Sequence, residues 1–267
     1  MNPVRVFDSG LHAARWNVAM SAALLELHLA GCIPDSVRFH RYPRSVLIGR
    51  HQDFDREIRA GREMIADLEY ARRITGGGAI YMSPEILAWD VVVNRAAFVG
   101  RLSSVSECFG TAIAAGLSRL GVDARYRPPN DVVVDGRKIS GSSGGFEGST
   151  LMHQGTVLIA FDRAEMADAL LAKDDADGRI ALQARVTSFA EITGRAPCHD
   201  DVRDAVIAGL SQALDRTFAW AEPGREELDL AARLLADEIG TDEFVYGTDR
   251  PAMATRPGMP TAMAGVL

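Results

Sequence analysis

The chain is poor in cysteine, with three in 267 residues, at positions 32, 108 and 198. They form no Cys-x-x-Cys pair and no metal-ligand spacing, so three reduced thiols are expected rather than a disulfide framework. No apolar run reaches the roughly 18 residues that a helical membrane span needs. The opening Met-Asn-Pro-Val-Arg-Val lacks the apolar segment of a signal peptide. Aromatic residues amount to 7%, and basic residues are outnumbered 29 to 36, for a net charge of −7. That balance argues against a general nucleic-acid binder. With 47% apolar and 24% charged residues, disordered, collagen-like and coiled-coil classes are excluded. The expectation is a globular, cytoplasmic protein without nucleic-acid or membrane partners, of one large domain or one domain plus an appendage.

What is present is a mixture of strand and helix signals. Residues 4–8 alternate like a short edge strand. Asn17 is placed to cap a helix to about residue 30, with Met20, Leu24 and Leu27 on its buried face. Strands are expected around Val37 and Phe39 and over 46–48, 79–81 and 87–93. In the last, Leu87, Trp89, Val91 and Val93 share one face. Residues 53–69 carry Ile58, Met64, Ile65 and Leu68 at helical spacing. Ser104 with Glu107 reads as a capping box ahead of the stripe Val105, Phe109, Ile113 and Leu117. Asp135-Gly136, between Val132-Val133-Val134 and Arg137-Lys138-Ile139, is a hairpin turn, because both central residues of a type I′ turn need positive φ. A further strand over 156–161 and helices over 163–173, 201–218 and 226–239 follow, then an aperiodic tail over 251–267. Strands in hairpins rather than regular βαβ units predict an α+β fold of mixed or antiparallel sheets packed with helices.

Two segments carry chemistry. In Arg72-Arg73-Ile74-Thr75-Gly76-Gly77-Gly78-Ala79-Ile80-Tyr81, three glycines are entropically wasteful unless backbone must approach something closely or amides converge on an anion. The two arginines offer forked positive charge for phosphate or carboxylate; the plainer alternative is a flexible loop with solvated arginines. There is neither a P-loop nor a Rossmann fingerprint. The second segment runs from Asn130-Asp131 through the hairpin to Ile139-Ser140-Gly141-Ser142-Ser143-Gly144-Gly145. Alternation puts Lys138 on the face opposite Arg137 and Ile139, leading into a Gly/Ser-rich loop. Such a lysine suits stabilisation of charge in acyl or phosphoryl transfer, although edge-strand lysines are also common as protection.

With His153-Gln154-Gly155-Thr156, Arg185-Val186-Thr187, Asn17-Val18-Ala19 and Ile48-Gly49-Arg50-His51-Gln52, these segments resemble, in order, the lipoate–protein ligase A family of biotin/lipoyl ligases over about residues 4–220. The resemblance implies a biotin/lipoyl-ligase-like catalytic domain that activates lipoate or octanoate with ATP and Mg²⁺ as acyl-AMP. The acyl group then passes to a lysine ε-amine on a small lipoyl carrier domain. Lys138 would be the catalytic residue, bridging acyl carbonyl and α-phosphate. Arg73, Gly76, Gly77, Gly78, Ala79, Ile80, Tyr81, Asn130, Asp131, Ser140, Gly141, His153, Gly155 and Thr156 would line the adenylate site, with Asp131 a candidate for Mg²⁺. The expected organisation is a catalytic domain over 1–220, a short helical appendage over 221–250 and a flexible tail over 251–267. The expectation is a short form without the accessory C-terminal domain of larger members, with a separate accessory subunit as a candidate partner.

There are departures. The family's usual polar stretch after the tyrosine is Met82-Ser83-Pro84-Glu85-Ile86 here, and its acidic residue after Asn-Leu-Ala is Ser21. Two other readings stand beside the ligase. An octanoyl- or lipoyltransferase on the same scaffold uses no ATP and forms a thioester on a cysteine. In one such group that cysteine precedes the hairpin, where this chain has Arg127-Pro128-Pro129-Asn130. A non-catalytic lipoyl-cofactor-binding protein is the other.

Overall fold

A computed structural model describes residues 3–59, 65, 67–98, 102–170 and 175–247. In chain order its strands and longer helices are β1 (Val4–Leu11), α1 (Ala14–Leu29), β2 (Ser36–Arg41), β3 (Ser45–Ile48), β4 (Glu69–Arg72), β5 (Ile80–Met82), β6 (Ile86–Asn94) and α2 (Leu102–Ser118). There follow β7 (Arg125–Arg127), β8 (Asp131–Val134), β9 (Arg137–Glu147), β10 (Thr150–Leu158), α3 (Arg163–Leu170), α4 (Ala176–Arg185), α5 (Phe189–Thr193), α6 (His199–Leu214), β11 (Phe218–Trp220), α7 (Arg225–Asp237) and α8 (Asp242–Tyr246).

β6 is apolar on both faces, and it lies inside the larger sheet, whose order is β11-β1-β2-β6-β10-β9-β8-β7. The first three strands run parallel and the remainder pair antiparallel. Leu87, Trp89, Val91 and Val93 do share a face, packing with Val105, Phe109, Ile113 and Leu117 of α2 and with α6. Ile86, Ala88 and Val92 face the other way, into a second cluster with α1, α7 and the small sheet β4-β3-β5. The chain is thus a mixed α+β fold, with one large sheet between two helical layers.

Several local expectations give way to tertiary contacts. β1 is not an edge: β11, unforeseen from sequence, pairs outside it, Val4 opposite Phe218. The helix α1 begins at Ala14, whose amide donates to Glu69 Oε2 of β4 at 2.6 Å. A carboxylate 55 residues downstream therefore serves the helix start, and Asn17 lies inside the first turn. The amide of Asn17 instead donates to the carbonyls of His12 and Arg41. α2 likewise starts at Leu102, ahead of Ser104, so the capping-box signal is out of phase although its apolar stripe holds. The Gly/Ser-rich stretch after Lys138 is strand rather than loop. α4 and α5 have no counterpart in the sequence pattern, and the 53–69 segment holds a short π-turn at Asp55–Arg59. The 251–267 tail lies outside the described residues.

α7 and α8, the expected appendage, add Leu230, Ala231, Leu234, Ile239 and Val245 to the cluster that includes α1. Glu227, 1% exposed, pairs with Arg5 of β1. Among the described residues no helix is long and apolar enough to cross a membrane.

Candidate active site

The hairpin turn sets the site's geometry. Asp135 and Gly136 have φ of 50° and 74°, as a type I′ turn requires, so β8 and β9 fold back in tight register. Ile139 faces α2, and the Lys138 side chain goes to the opposite face, where it lies across Gly141. A Cβ on Gly141 would stand 2.4 Å from Lys138 Cε and Nζ, so only glycine leaves this seat open. Lys138 Nζ is 2.6 Å from Asp131 Oδ1, and Arg127 donates to Asp131 Oδ2 at 2.9 Å. Burial opposes ionisation of Asp131, yet the Lys138 charge and the Arg127 bond hold its carboxyl below the usual range. Asn130 donates to Ser142 O at 2.7 Å and joins β8 to β9. On the far side, Thr187 N donates to Lys138 O at 2.9 Å, bringing the 185–187 motif alongside the lysine.

The glycine loop stands over Gly49. Gly77, at φ 97°, presses its carbonyl where a Cβ of Gly49 would be, at 1.9 Å. Arg73 does not reach outward: it donates to the carbonyls of Leu47, Gly76 and Gly78, each at 2.9 Å. Burial pulls its pKa down to about 10, and no carboxylate pairs with it among the described residues. Its positive charge is held under the loop with no counter-ion among the described residues. Arg72, 7% exposed, turns away and donates to the carbonyls of Gly49, Arg50, Gln52, Phe244 and Val245. The expectation that both arginines face an anion fails for Arg72.

The structure brings Lys138, Asp131, Gly141 and Asn130 together, and by register Thr156 lies opposite Gly141. His153 and Gly155 do not join them. They point to the α2 side, where His153 is fully buried against Phe109 and Trp89 and Gly155 backs onto the Trp89 ring. Desolvation pushes the His153 pKa down to about 3, which keeps it neutral, and Ser142 Oγ is its partner at 3.1 Å. Ser140 is buried opposite Val157. Tyr81 is buried, and burial with Glu165 beside it pushes its phenol up. Ala79 and Ile80 pack on the core.

Both Asp131 oxygens are engaged by cations, Lys138 at Oδ1 and Arg127 at Oδ2. Among the described residues no cluster of three His, Cys, Asp or Glu side chains could hold a metal. The departed 82–86 segment forms the β5–β6 turn, with Met82 and Ile86 buried and His199 Nε2 within 3.0 Å of Pro84 O. A cavity of about 680 Å³ beside it is lined by Glu85, Asp162, Arg163 and Gln183 among others, and by neither Lys138 nor the glycine loop. The cysteines lie elsewhere. Cys108 is half-buried on α2, on the other side of the sheet, with burial pushing its thiol up, while Cys32 and Cys198 are exposed at helix ends.

Comparison with known proteins gives this geometry a family. The octanoyltransferase LipM of Kyrpidia tusciae is 24% identical over 275 positions, covering 92% of this chain and 99% of that one. Lipoate-protein ligase A subunit 1 of Thermoplasma acidophilum is 28% identical over 228 positions, covering 79% and 84%. A crystal structure of lipoate-protein ligase A bound with ATP superposes with a TM-score of 0.81 at 24% identity, over 92% of this chain and 99% of that one. The bi-partite lipoate protein ligase from T. acidophilum gives 0.79 at 25% identity, over 95% and 100%. The model of the lipoyl protein ligase A/B catalytic domain matches residues 13–211, about three quarters of the sequence, and the chain belongs to that family.

Proposed function

We propose that the protein is an ATP-dependent lipoate–protein ligase, which activates lipoate or octanoate as acyl-AMP and passes the acyl group to a lysine on a lipoyl carrier domain. The observation that carries this reading is the Lys138 ammonium, seated over Gly141 beside the 185–187 segment, while the three cysteines lie on or beside α1, α2 and α6 rather than on the hairpin. In the first half-reaction a carboxylate oxygen attacks the α-phosphorus and pyrophosphate leaves. In the second the carrier amine attacks the acyl carbon, AMP leaves, and the amine loses a proton. Charge builds on the oxygens between carbonyl and phosphate in both steps, and Lys138 stabilises it there. The Arg73 charge biases the loop amides toward the phosphates, and loop and hairpin exclude water from an anhydride that hydrolyses readily. Mg²⁺ would enter with the nucleotide, held by phosphate oxygens and water. The carrier, and an accessory subunit like the second half of the bi-partite enzyme, are the partners this reading implies.

A second reading, octanoyl transfer through a cysteine thioester, draws on the LipM relatives. It needs an accessible, activated thiol, and where the related transferases place it this chain has Arg127-Pro128-Pro129-Asn130. Incubation with ATP, Mg²⁺ and either acid, followed by mass spectrometry, separates the two. Acyl-AMP and AMP are expected. Labelling of a cysteine by octanoyl-carrier protein, with no adenylate, overturns the ligase.

A further inference from the structure

β6 is an apolar strand with one acid in it. Asp90, 1% exposed, meets Arg38 of β2, fully buried, with Arg38 Nη1 3.3 Å from Asp90 Oδ2. Ser21 Oγ donates to the same oxygen at 2.7 Å, so β6 supplies a carboxylate beside the position where α1 carries serine. Asp90 Oδ1 accepts from Gln154 Nε2 at 2.7 Å. An ionised carboxylate only accepts, which fixes the Gln154 amide with its NH₂ toward Asp90 and its carbonyl away. That carbonyl accepts from Thr75 Oγ1 at 2.9 Å, and Ser143 Oγ donates to Thr75 Oγ1 at 3.4 Å. Thr75 immediately precedes the three glycines and is 1% exposed, and its backbone carbonyl accepts from Arg50 N at 2.9 Å. Every donor points toward Asp90, so the chain has one direction. It ties the small sheet, which carries the loop, to the β9–β10 face that carries Lys138.

We propose that Asp90 and Gln154 are positioning residues, which act through Thr75 to hold the root of the glycine loop in register with Lys138. The proposal rests on the ligase reading for its catalytic consequence. If these residues served only to neutralise Arg38, the carboxylate could sit anywhere beside its guanidinium. Ser21 Oγ is also 3.3 Å from Arg38 Nη1. A carboxylate at 21 with serine at 90 therefore keeps the charge balance but leaves Gln154 without its acceptor.

The full-length variants Gln154→Met, Thr75→Val, Thr75→Ser, the double Gln154→Met/Thr75→Val and the exchange Ser21→Asp/Asp90→Ser test this. Melting temperature, amide exchange over residues 74–79, and kcat and KM with ATP would be measured. Apart from Thr75→Ser, which keeps the hydroxyl and should behave as the wild type, loop amides should exchange at least about tenfold faster. In those same variants kcat should fall by at least about tenfold, with KM for ATP moving by less than about threefold. The double variant should be no worse than its worse single, because both break one chain. Wild-type loop exchange in every variant overturns the proposal. So does an exchange variant with full loop protection and full kcat, since charge neutrality alone would then suffice. Faster loop exchange in a protein whose wild type forms no acyl-AMP supports the positioning chain and overturns only the ligase reading.

Discussion

Replacing Gly141 with alanine puts a methyl group where the Lys138 ammonium now lies. The added carbon would sit 2.4 Å from Lys138 Cε and Nζ and 3.5 Å from Asp131 Oδ1. Ordinary contact begins about 1 Å further out, so the far end of the lysine must move by at least about 1 Å. The backbone has no cause to move, because Gly141 is not in the positive-φ region. Alanine there should gain about 0.4–1 kcal/mol through the unfolded chain. The displaced Lys138–Asp131 pair, with the lysine side chain 35% exposed, contributes about 0.2–1 kcal/mol at most after solvent screening. The two nearly cancel, and the melting temperature should stay within about 4 °C. Catalysis should not survive as well. A 1 Å misplacement of a charge-stabilising group costs about a hundredfold, or about 2.7 kcal/mol of barrier. Single-turnover formation of acyl-AMP should therefore fall about a hundredfold in Gly141→Ala, as far as in Lys138→Ala, and no further in the double variant. Wild-type turnover in Gly141→Ala beside an inactive Lys138→Ala would refute the seat over Gly141 as the working position of the lysine.

Arg72→Met removes the guanidinium from five backbone carbonyls, three near the root of the glycine loop and two in α8, of which Gly49 O keeps the Gln52 amide. Urea unfolding should show a loss of about 3–5 kcal/mol, and a loss under about 1 kcal/mol would mean that water replaces the guanidinium. His153 should make the fold acid-sensitive. The unfolded chain takes up its proton below about pH 6.5, whereas the folded one resists until about pH 3. Its contribution is therefore complete above the upper value and falls by about 1.4 kcal/mol per pH unit on acidification. Buried His40, also pushed down, adds to the same slope. His153→Phe should flatten the decline between pH 6.5 and 5 by about 2 kcal/mol, and an unchanged slope would show that His153 is charged or solvated in the folded state. A variant with Cys32, Cys108 and Cys198 all changed to serine should keep ligase turnover within about twofold; abolition by one of the three would transfer the reaction to a thiol.

The parts of the site legible in the sequence are those whose logic is local. Asp135-Gly136 specifies its own turn, and the turn fixes which way Lys138 points. The alternation along β6 fixes which residues meet α2. What the sequence hid depends on partners far along the chain. The cap of α1 comes from Glu69, 55 residues downstream, and Asn17, which has the residue type of a cap, is a tertiary hydrogen-bonding residue. His153 and Gln154 are neighbours in a strand, so their roles divide by parity. The motif drew attention to the histidine, while the glutamine is the one on the glycine-loop face. A signal for the buried ion pair was present all along: one aspartate inside Ile86-Leu87-Ala88-Trp89-Asp90-Val91-Val92-Val93 has to meet a cation or stay protonated.

The two adjacent arginines show how strand parity turns one motif into two functions. Arg72 ends β4 buried, and there it gathers carbonyls from the Gly49–Gln52 turn and from α8. Arg73, one residue later, turns to the other side and gathers the carbonyls of the glycine loop itself. The same turn is thus gripped on one side by Arg72 and pressed on the other by Gly77 over Gly49. Arg72 shares its donors between α8, at Phe244 O and Val245 O, and the turn under the loop, at Gly49 O, Arg50 O and Gln52 O. Arg15 adds to the grip, donating to Gly240 O at 2.7 Å and pairing with Asp242 at 2.8 Å. The C-terminal helices are therefore mechanically continuous with the loop that Arg73 charges.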